Sequence, residues 1–149
     1  LYDLFVDFMD EHGFPKGGVF LQDLAVVEEK SKAVGSADHK RDTILELMET
    51  YPALPFVLIG DSGQQDPELY RDIARERPER LRAILVRDVT EPERDREVRR
   101  IEEEVNALGV PMAAAENSIS LARAAADFDL IPHSTIDDVR RRMVESDEE

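Results

Sequence analysis

The apolar positions of the first dozen residues recur with helical spacing. Leu1, Leu4, Phe5, Phe8 and Met9 fall at i, i+3, i+4, i+7 and i+8, and Asp3, Asp7, Asp10 and Glu11 lie between them. This pattern predicts an amphipathic helix stopped by Gly13 and Pro15. After Gly17-Gly18, Val19-Phe20-Leu21 reads as a short strand ending at Gln22-Asp23. Residues 24–35 show no clear period, and Glu28, Glu29, Lys30 and Lys32 are expected on a loop. Ser36 reads as the N-cap of a helix reaching about Tyr51, with Ile44, Leu47, Met48 and Tyr51 as its inward stripe.

Beyond Pro52 and Pro55 the period changes. Phe56-Val57-Leu58-Ile59 is a continuous apolar run of strand length, which predicts a parallel strand buried on both faces. Asp66-Pro67 marks a helix start, with Asp as the cap, Pro in the first turn, and Leu69, Tyr70, Ile73 and Ala74 facing inward. Ala83-Ile84-Leu85-Val86 is a second buried strand. Thr90 to Glu93 is a capping-box start for a helix that turns Val98, Ile101, Val105 and Leu108 inward and ends at Gly109. Met112 to Ala115 is a weaker strand, Ser118 and Ser134 open helices near 119–128 and 135–145, and residues 147–149 read as a frayed acidic end. Strands alternating with helices give the rhythm of an α/β fold with a parallel sheet.

Composition bounds the class. The chain has 149 residues, 42% of them hydrophobic and 36% charged, enough to bury one core. It has no cysteine, so disulfides and Cys-ligated metal centres are excluded. No apolar run approaches the roughly 20 residues of a bilayer span, and the expected location is the cytoplasm. The net charge of −15 is spread evenly: residues 1–75 hold 7 basic and 15 acidic side chains, and residues 76–149 hold 12 and 19. A field of that sign repels nucleic-acid phosphates, so no nucleic-acid partner is expected. Leu1 opens directly on a helical pattern, from which we expect a piece of a longer protein.

Candidate chemistry gathers where α/β sheets bind ligands, beyond the carboxyl ends of the strands. Asp23, Asp61-Ser62-Gly63, Arg87-Asp88 and Glu116-Asn117 are expected there. Asp61 and Asp66 flank a Gly-containing loop, an oxygen donor set suited to Mg²⁺, although Asp66 serves equally well as a plain helix cap. Lys40 falls in the expected first turn of its helix, where the macrodipole disfavours cations by roughly 0.3–1 kcal/mol, and it could steady a phosphate or carboxylate as a point charge. The plainer reading of Lys40 is a solvated basic turn, and His39 and His133 read as surface histidines. Gly60-Asp61-Ser62 also fits a Ser62 esterase of the GDSL type, but Asp129 to His133 has one residue too many for the partner motif. No G-x-G-x-x-G or P-loop motif occurs.

Taken together, Asp38-His39-Lys40, the run from Pro55 to Pro67 and the run from Ala83 to Val89 resemble the catalytic domain of actin-patch-type phosphatidate phosphatases and their bacterial relatives, in the haloacid-dehalogenase (HAD) superfamily. Leu1 to Leu4, His12 to Gly17 and the stretch through Ile131 resemble it too. The resemblance implies a Rossmannoid three-layer fold, of which residues 1–146 would be the C-terminal portion, lacking the first two strands. It implies Lys40 as the lysine steadying nucleophile and phosphoryl charge. It also implies Asp61 and Asp66 as the G-D-x-x-x-x-D acids that hold Mg²⁺ or position its ligands. Ser62, Gly63, Arg87 and Asp88 would be loop or substrate-facing residues.

The D-x-D-x-T motif, which carries the nucleophilic Asp of such enzymes, does not occur in the chain. Residues 1–149 alone are therefore expected to be inactive and marginally folded or rearranged, and apolar sheet edges at Val57 and Val19 are expected to lack their neighbours. The implied substrate is a phosphomonoester; phosphatidate and a soluble phosphomonoester both remain open. A non-catalytic α/β binding module is the alternative, and the Ser62 esterase a third reading.

Overall fold

The structure is a computed structural model that describes residues 9–11, 17–18, 32–89 and 92–147. The chain divides into two compact units, residues 1–44 and 45–149. In the first, residues 9–11 are helical, in line with the amphipathic pattern there, and the expected strand at Val19–Leu21 lies outside the described residues. Helix α1 (Lys32–Thr50) begins before Ser36, so Ser36 is not its cap. Lys40 consequently sits in the third turn, not the first. The macrodipole penalty expected for it does not apply, because that field is confined to the terminal turn. Of its expected inward stripe, Met48 is buried, whereas Tyr51 lies beyond the helix and is exposed.

The second unit alternates strand and helix: β1 (Phe56–Asp61), α2 (Asp66–Glu76), a 3₁₀ turn (Pro78–Arg80), β2 (Leu81–Arg87), α3 (Pro92–Ala107), β3 (Met112–Ala115), α4 (Ser118–Asp127) and α5 (Thr135–Asp147). Among the described residues the sheet has three parallel strands in the order β1-β2-β3. The α/β class with a parallel sheet is thus the observed one. Two crossovers of the same hand place α2 and α3 together on one face. Helix α4 packs on β2 and β3, and α5 packs on α4.

This layering explains the burial of each strand. In β2, Ala83, Ile84, Leu85 and Val86 are all buried, as a central strand covered on both faces must be. In β1 only Leu58 is buried; Val57 and Ile59 point to the other face, and Ile59 is 69% exposed. The expectation that β1 is buried on both faces is therefore corrected: α2 covers one side, and α4 packs on β2 and β3.

The helices follow their periodicity with local departures. Leu69, Tyr70, Ile73 and Ala74 of α2 and Val98, Ile101 and Val105 of α3 are buried as expected. Leu108 is exposed, because α3 ends at Ala107 and Gly109 takes a left-handed φ of 84° one residue further on. Asn117, not Ser118, caps α4, its side chain accepting from the Ser120 N–H at 2.9 Å. Asp147 is helical, and residues 148–149 of the expected frayed end lie outside the described residues.

Candidate metal and phosphate site

Parallel register brings the strand ends abreast. Asp61 pairs with Arg87 and Arg87 with Ala115, so the residues that follow each strand converge on one rim of the sheet. Asp61 is the last residue of β1. Its Oδ1 accepts from the Gly63 N–H at 2.9 Å, an Asx-type turn that holds the carboxylate over its own loop. A Cβ on Gly63 would lie 3.1 Å from that oxygen, so the tight turn favours glycine.

Asp66 departs from its expected role. It is the first residue of α2, Gln65 occupies the cap position, and no side-chain cap bond forms there. The Asp66 carboxylate instead lies against the end of β1, only 6% exposed, with Oδ2 at 3.4 Å from the Asp61 N–H. A Cβ on Gly60 would sit 2.2 Å from Asp66 Oδ2 and 2.8 Å from the Tyr70 hydroxyl. Gly60 is therefore a steric requirement for bringing this carboxylate to the strand. Tyr70, one helical turn after Asp66, donates its hydroxyl to the Ile59 carbonyl at 2.9 Å. Burial first, then the Asp66 and Asp61 charges and an Asp66 hydrogen bond, push the Tyr70 hydroxyl well above its ordinary value.

Ser62 ties two loops. It is 1% exposed; its N–H donates to the Arg87 carbonyl at 2.9 Å, its Oγ donates to Asp88 Oδ1 at 2.6 Å and accepts from the Val89 N–H at 2.9 Å. A hydroxyl so enclosed is fastened as scaffold, which argues against the esterase reading, as does the exposed position of His133. Asp88 completes the tie, its N–H donating to the Ala115 carbonyl at 2.8 Å. Arg87 turns the other way: Nε donates to the Glu116 carbonyl at 2.9 Å and Nη1 to Ser118 Oγ at 3.1 Å. Arg87 and Asp88 are thus loop-holding residues.

Behind the loop, Arg94 of α3 bridges Glu68 at 2.5 Å and Glu97 at 2.6 Å and donates to the Gln64 carbonyl at 3.3 Å. Burial pushes the Glu68 carboxyl up. The Arg94 hydrogen bond, a backbone bond and the charges of Arg94 and Arg71 outweigh that effect and hold it below its ordinary value. A cleft of about 450 Å³ opens on the β3 side of the rim, lined among others by Asp88, Arg99, Glu102 and Glu116. Of the site residues only Asp88 borders it.

Asp61, Ser62, Gly63, Asp66, Arg87 and Asp88 thus share one rim of the second unit. Lys40 belongs to the first unit, half-buried in α1. No group of three or more acidic, His or Cys side chains able to cage a metal occurs among the described residues. Asp61 and Asp66 nonetheless place two carboxylates at the end of β1, the donor type that Mg²⁺ takes. That ion is commonly held by one or two carboxylates, with waters and substrate phosphate filling the remaining positions. Sequence reasoning read Tyr70 only as a core residue; its i+4 spacing from Asp66 was the available signal.

The model of the family described as the phosphatidate phosphatase APP1 catalytic domain matches residues 1–88. Phosphatidate phosphatase APP1 of Saccharomyces cerevisiae is 32% identical over 74 residues, 50% of this chain and 13% of the yeast protein. An uncharacterized protein of Schizosaccharomyces pombe is 39% identical over 54 residues, 36% of this chain and 9% of that protein. The matched segment is therefore a small part of either relative's length. No solved structure matches the chain.

Proposed function

The chain belongs to the family of the phosphatidate phosphatase APP1 catalytic domain, and from that premise we propose that it is the C-terminal portion of a Mg²⁺-dependent phosphomonoester phosphatase domain of the HAD type. The observation that carries the reading is the Asp61–Asp66 pair, drawn together at the end of β1 by a glycine that no other residue can replace without displacing Asp66. The Asp66 carboxylate faces the Asp61 N–H and the Asp61 carboxylate is held over its own loop, so one strand end carries two oxygen-donor groups of the kind Mg²⁺ takes.

In this reading Asp61 and Asp66 hold Mg²⁺, which when bound offsets the negative charge of the phosphoryl oxygens. Lys40 steadies the nucleophile and the phosphoryl group as a point charge. The nucleophilic Asp comes from outside these 149 residues. Its carboxylate oxygen attacks phosphorus, the bond to the leaving alcohol breaks, and water then cleaves the acyl phosphate to free inorganic phosphate. Phosphatidate, named for the yeast relative, and soluble phosphomonoesters are both candidate substrates.

In the full-length protein, Asp61→Asn is expected to weaken activation by Mg²⁺, measured on phosphatidate vesicles and on a soluble aryl phosphate. Unchanged Mg²⁺ dependence on both would overturn the assignment. Residues 1–149 alone are expected to release no phosphate from either; a single turnover by the purified segment would show that the nucleophile lies within it.

A further inference from the structure

Tyr70 places its hydroxyl beside the buried Asp66 carboxylate. It is 3% exposed on the inner face of α2. Its hydroxyl donates to the Ile59 carbonyl at 2.9 Å and meets the Asp66 carboxylate at the space a Gly60 Cβ would fill. The hydroxyl thus sits between its acceptor on the strand and the acid on the helix. A purely apolar core position would be served by Phe, whose ring fills the same space without a polar atom to satisfy. The hydroxyl is placed where the last carbonyls of β1, the bare backbone of Gly60 and the Asp66 carboxylate meet.

Resting on the metal-site reading above, we propose that Tyr70 is a positioning residue for Asp66: its hydroxyl clamps the carboxylate against the end of β1 and thereby sets how it presents its oxygens to a divalent cation beside Asp61. The clamp has three parts. The helix carries Tyr70 and Asp66 on one face, one turn apart. The Ile59 carbonyl anchors the phenol to the strand. Gly60, lacking a Cβ, leaves the space in which acid and phenol meet. Groups that hydrogen-bond a metal-ligating carboxylate fix its orientation, and their removal costs about 10- to 100-fold in metal affinity.

The test uses the full-length protein and Mg²⁺ alone as the probe, with binding read by isothermal titration calorimetry. Tyr70→Phe is expected to weaken Mg²⁺ binding about tenfold and to raise the Mg²⁺ concentration for half-activation in parallel. Its metal-free melting temperature should be little changed. Gly60→Ala, whose Cβ would displace both the Asp66 carboxylate and the phenol, is expected to weaken Mg²⁺ binding at least as much. A folded Tyr70→Phe protein with unaltered Mg²⁺ affinity overturns the proposal. Unfolding of that variant also overturns it, because the hydroxyl would then be serving the core. If the parent protein binds no Mg²⁺, or Asp61→Asn binds it unchanged, the metal-site reading itself fails and takes this proposal with it.

Discussion

Ser62 and Asp129 show how much single residues constrain this rim and its flank. Ser62 accepts from the Val89 N–H and donates to Asp88, and the whole residue is buried. Ser62→Ala removes two part-buried side-chain hydrogen bonds, worth about 0.5–1.5 kcal/mol each, so it is expected to destabilise the fold by about 1–3 kcal/mol in denaturant unfolding. Any ester-hydrolysing activity should be untouched by it, whereas a nucleophilic Ser62 would lose that activity entirely. Asp129 ends α4 in a left-handed conformation, φ 57°. There the Leu130 N–H reaches the Ala125 carbonyl and the Asp129 N–H the Ala126 carbonyl, a Schellman closure. Glycine takes that backbone without the Cβ strain, so Asp129→Gly is expected to raise stability by up to about 1 kcal/mol in the same assay. The Arg82 bond to the Asp129 carbonyl survives the change, since it uses only backbone on that side.

At the level of elements, α2 and α3 carry two carboxyls that respond to pH in opposite directions. Glu68 on α2, held by Arg94 of α3, has a folded value below its ordinary 4.5. Its contribution to stability is complete above that ordinary value and fades as pH falls through the depressed one. Glu68→Gln is therefore expected to destabilise the protein at neutral pH, with the gap between variant and parent closing in acid. Glu102 on α3 is pushed up by burial, only partly offset by a bond from the Ala114 backbone and the Arg99 charge. Its ionised form weighs against folding at neutral pH, and the penalty lifts as pH falls through the raised value. Glu102→Gln should stabilise the protein at neutral pH, and the gain should vanish in acid. Thermal melts of both variants across pH 3–8, read against the parent, check the pair; a shared sign would refute the account.

For the second unit as a whole, the unequal covering of the sheet matters most. Helices α2 and α3 line one face, α4 reaches β2 and β3, and β1 leaves Val57 and Ile59 exposed. Among the described residues β1 has a neighbour on one side only, and an apolar edge strand is a template for pairing with another chain. Ile59→Lys is expected to leave the melting of residues 1–149 within about 0.5 kcal/mol, since it alters no buried contact. It should also lower concentration-dependent association, measured by light scattering. Association unchanged by the substitution would show that this edge is not what the segment pairs through.

Much of this was legible in one dimension. Continuous apolar runs at residues 56–59 and 83–86 and the period of Val98, Ile101 and Val105 determined strands, helices and a parallel sheet, because backbone hydrogen bonding and burial impose periods of 2 and 3.6 on any chain. The Asp61 to Asp66 spacing likewise put two acids at one strand end. What the sequence could not decide was which of two local chemistries each residue would enter. Asp66 had the makings of a cap and Ser62 those of a nucleophile; Ser118 stood where Asn117 proved to be the cap. In each case the competing interaction lies across the fold: β1 against α2, the loop after β1 against the loop after β2. Whether β1 was covered on one face or two depended on how far α4 reaches, a matter of helix placement that no run of Phe56-Val57-Leu58-Ile59 encodes. Local pattern is set by neighbours in the chain, whereas the use of a polar atom is set by whichever partner tertiary packing brings within hydrogen-bonding distance.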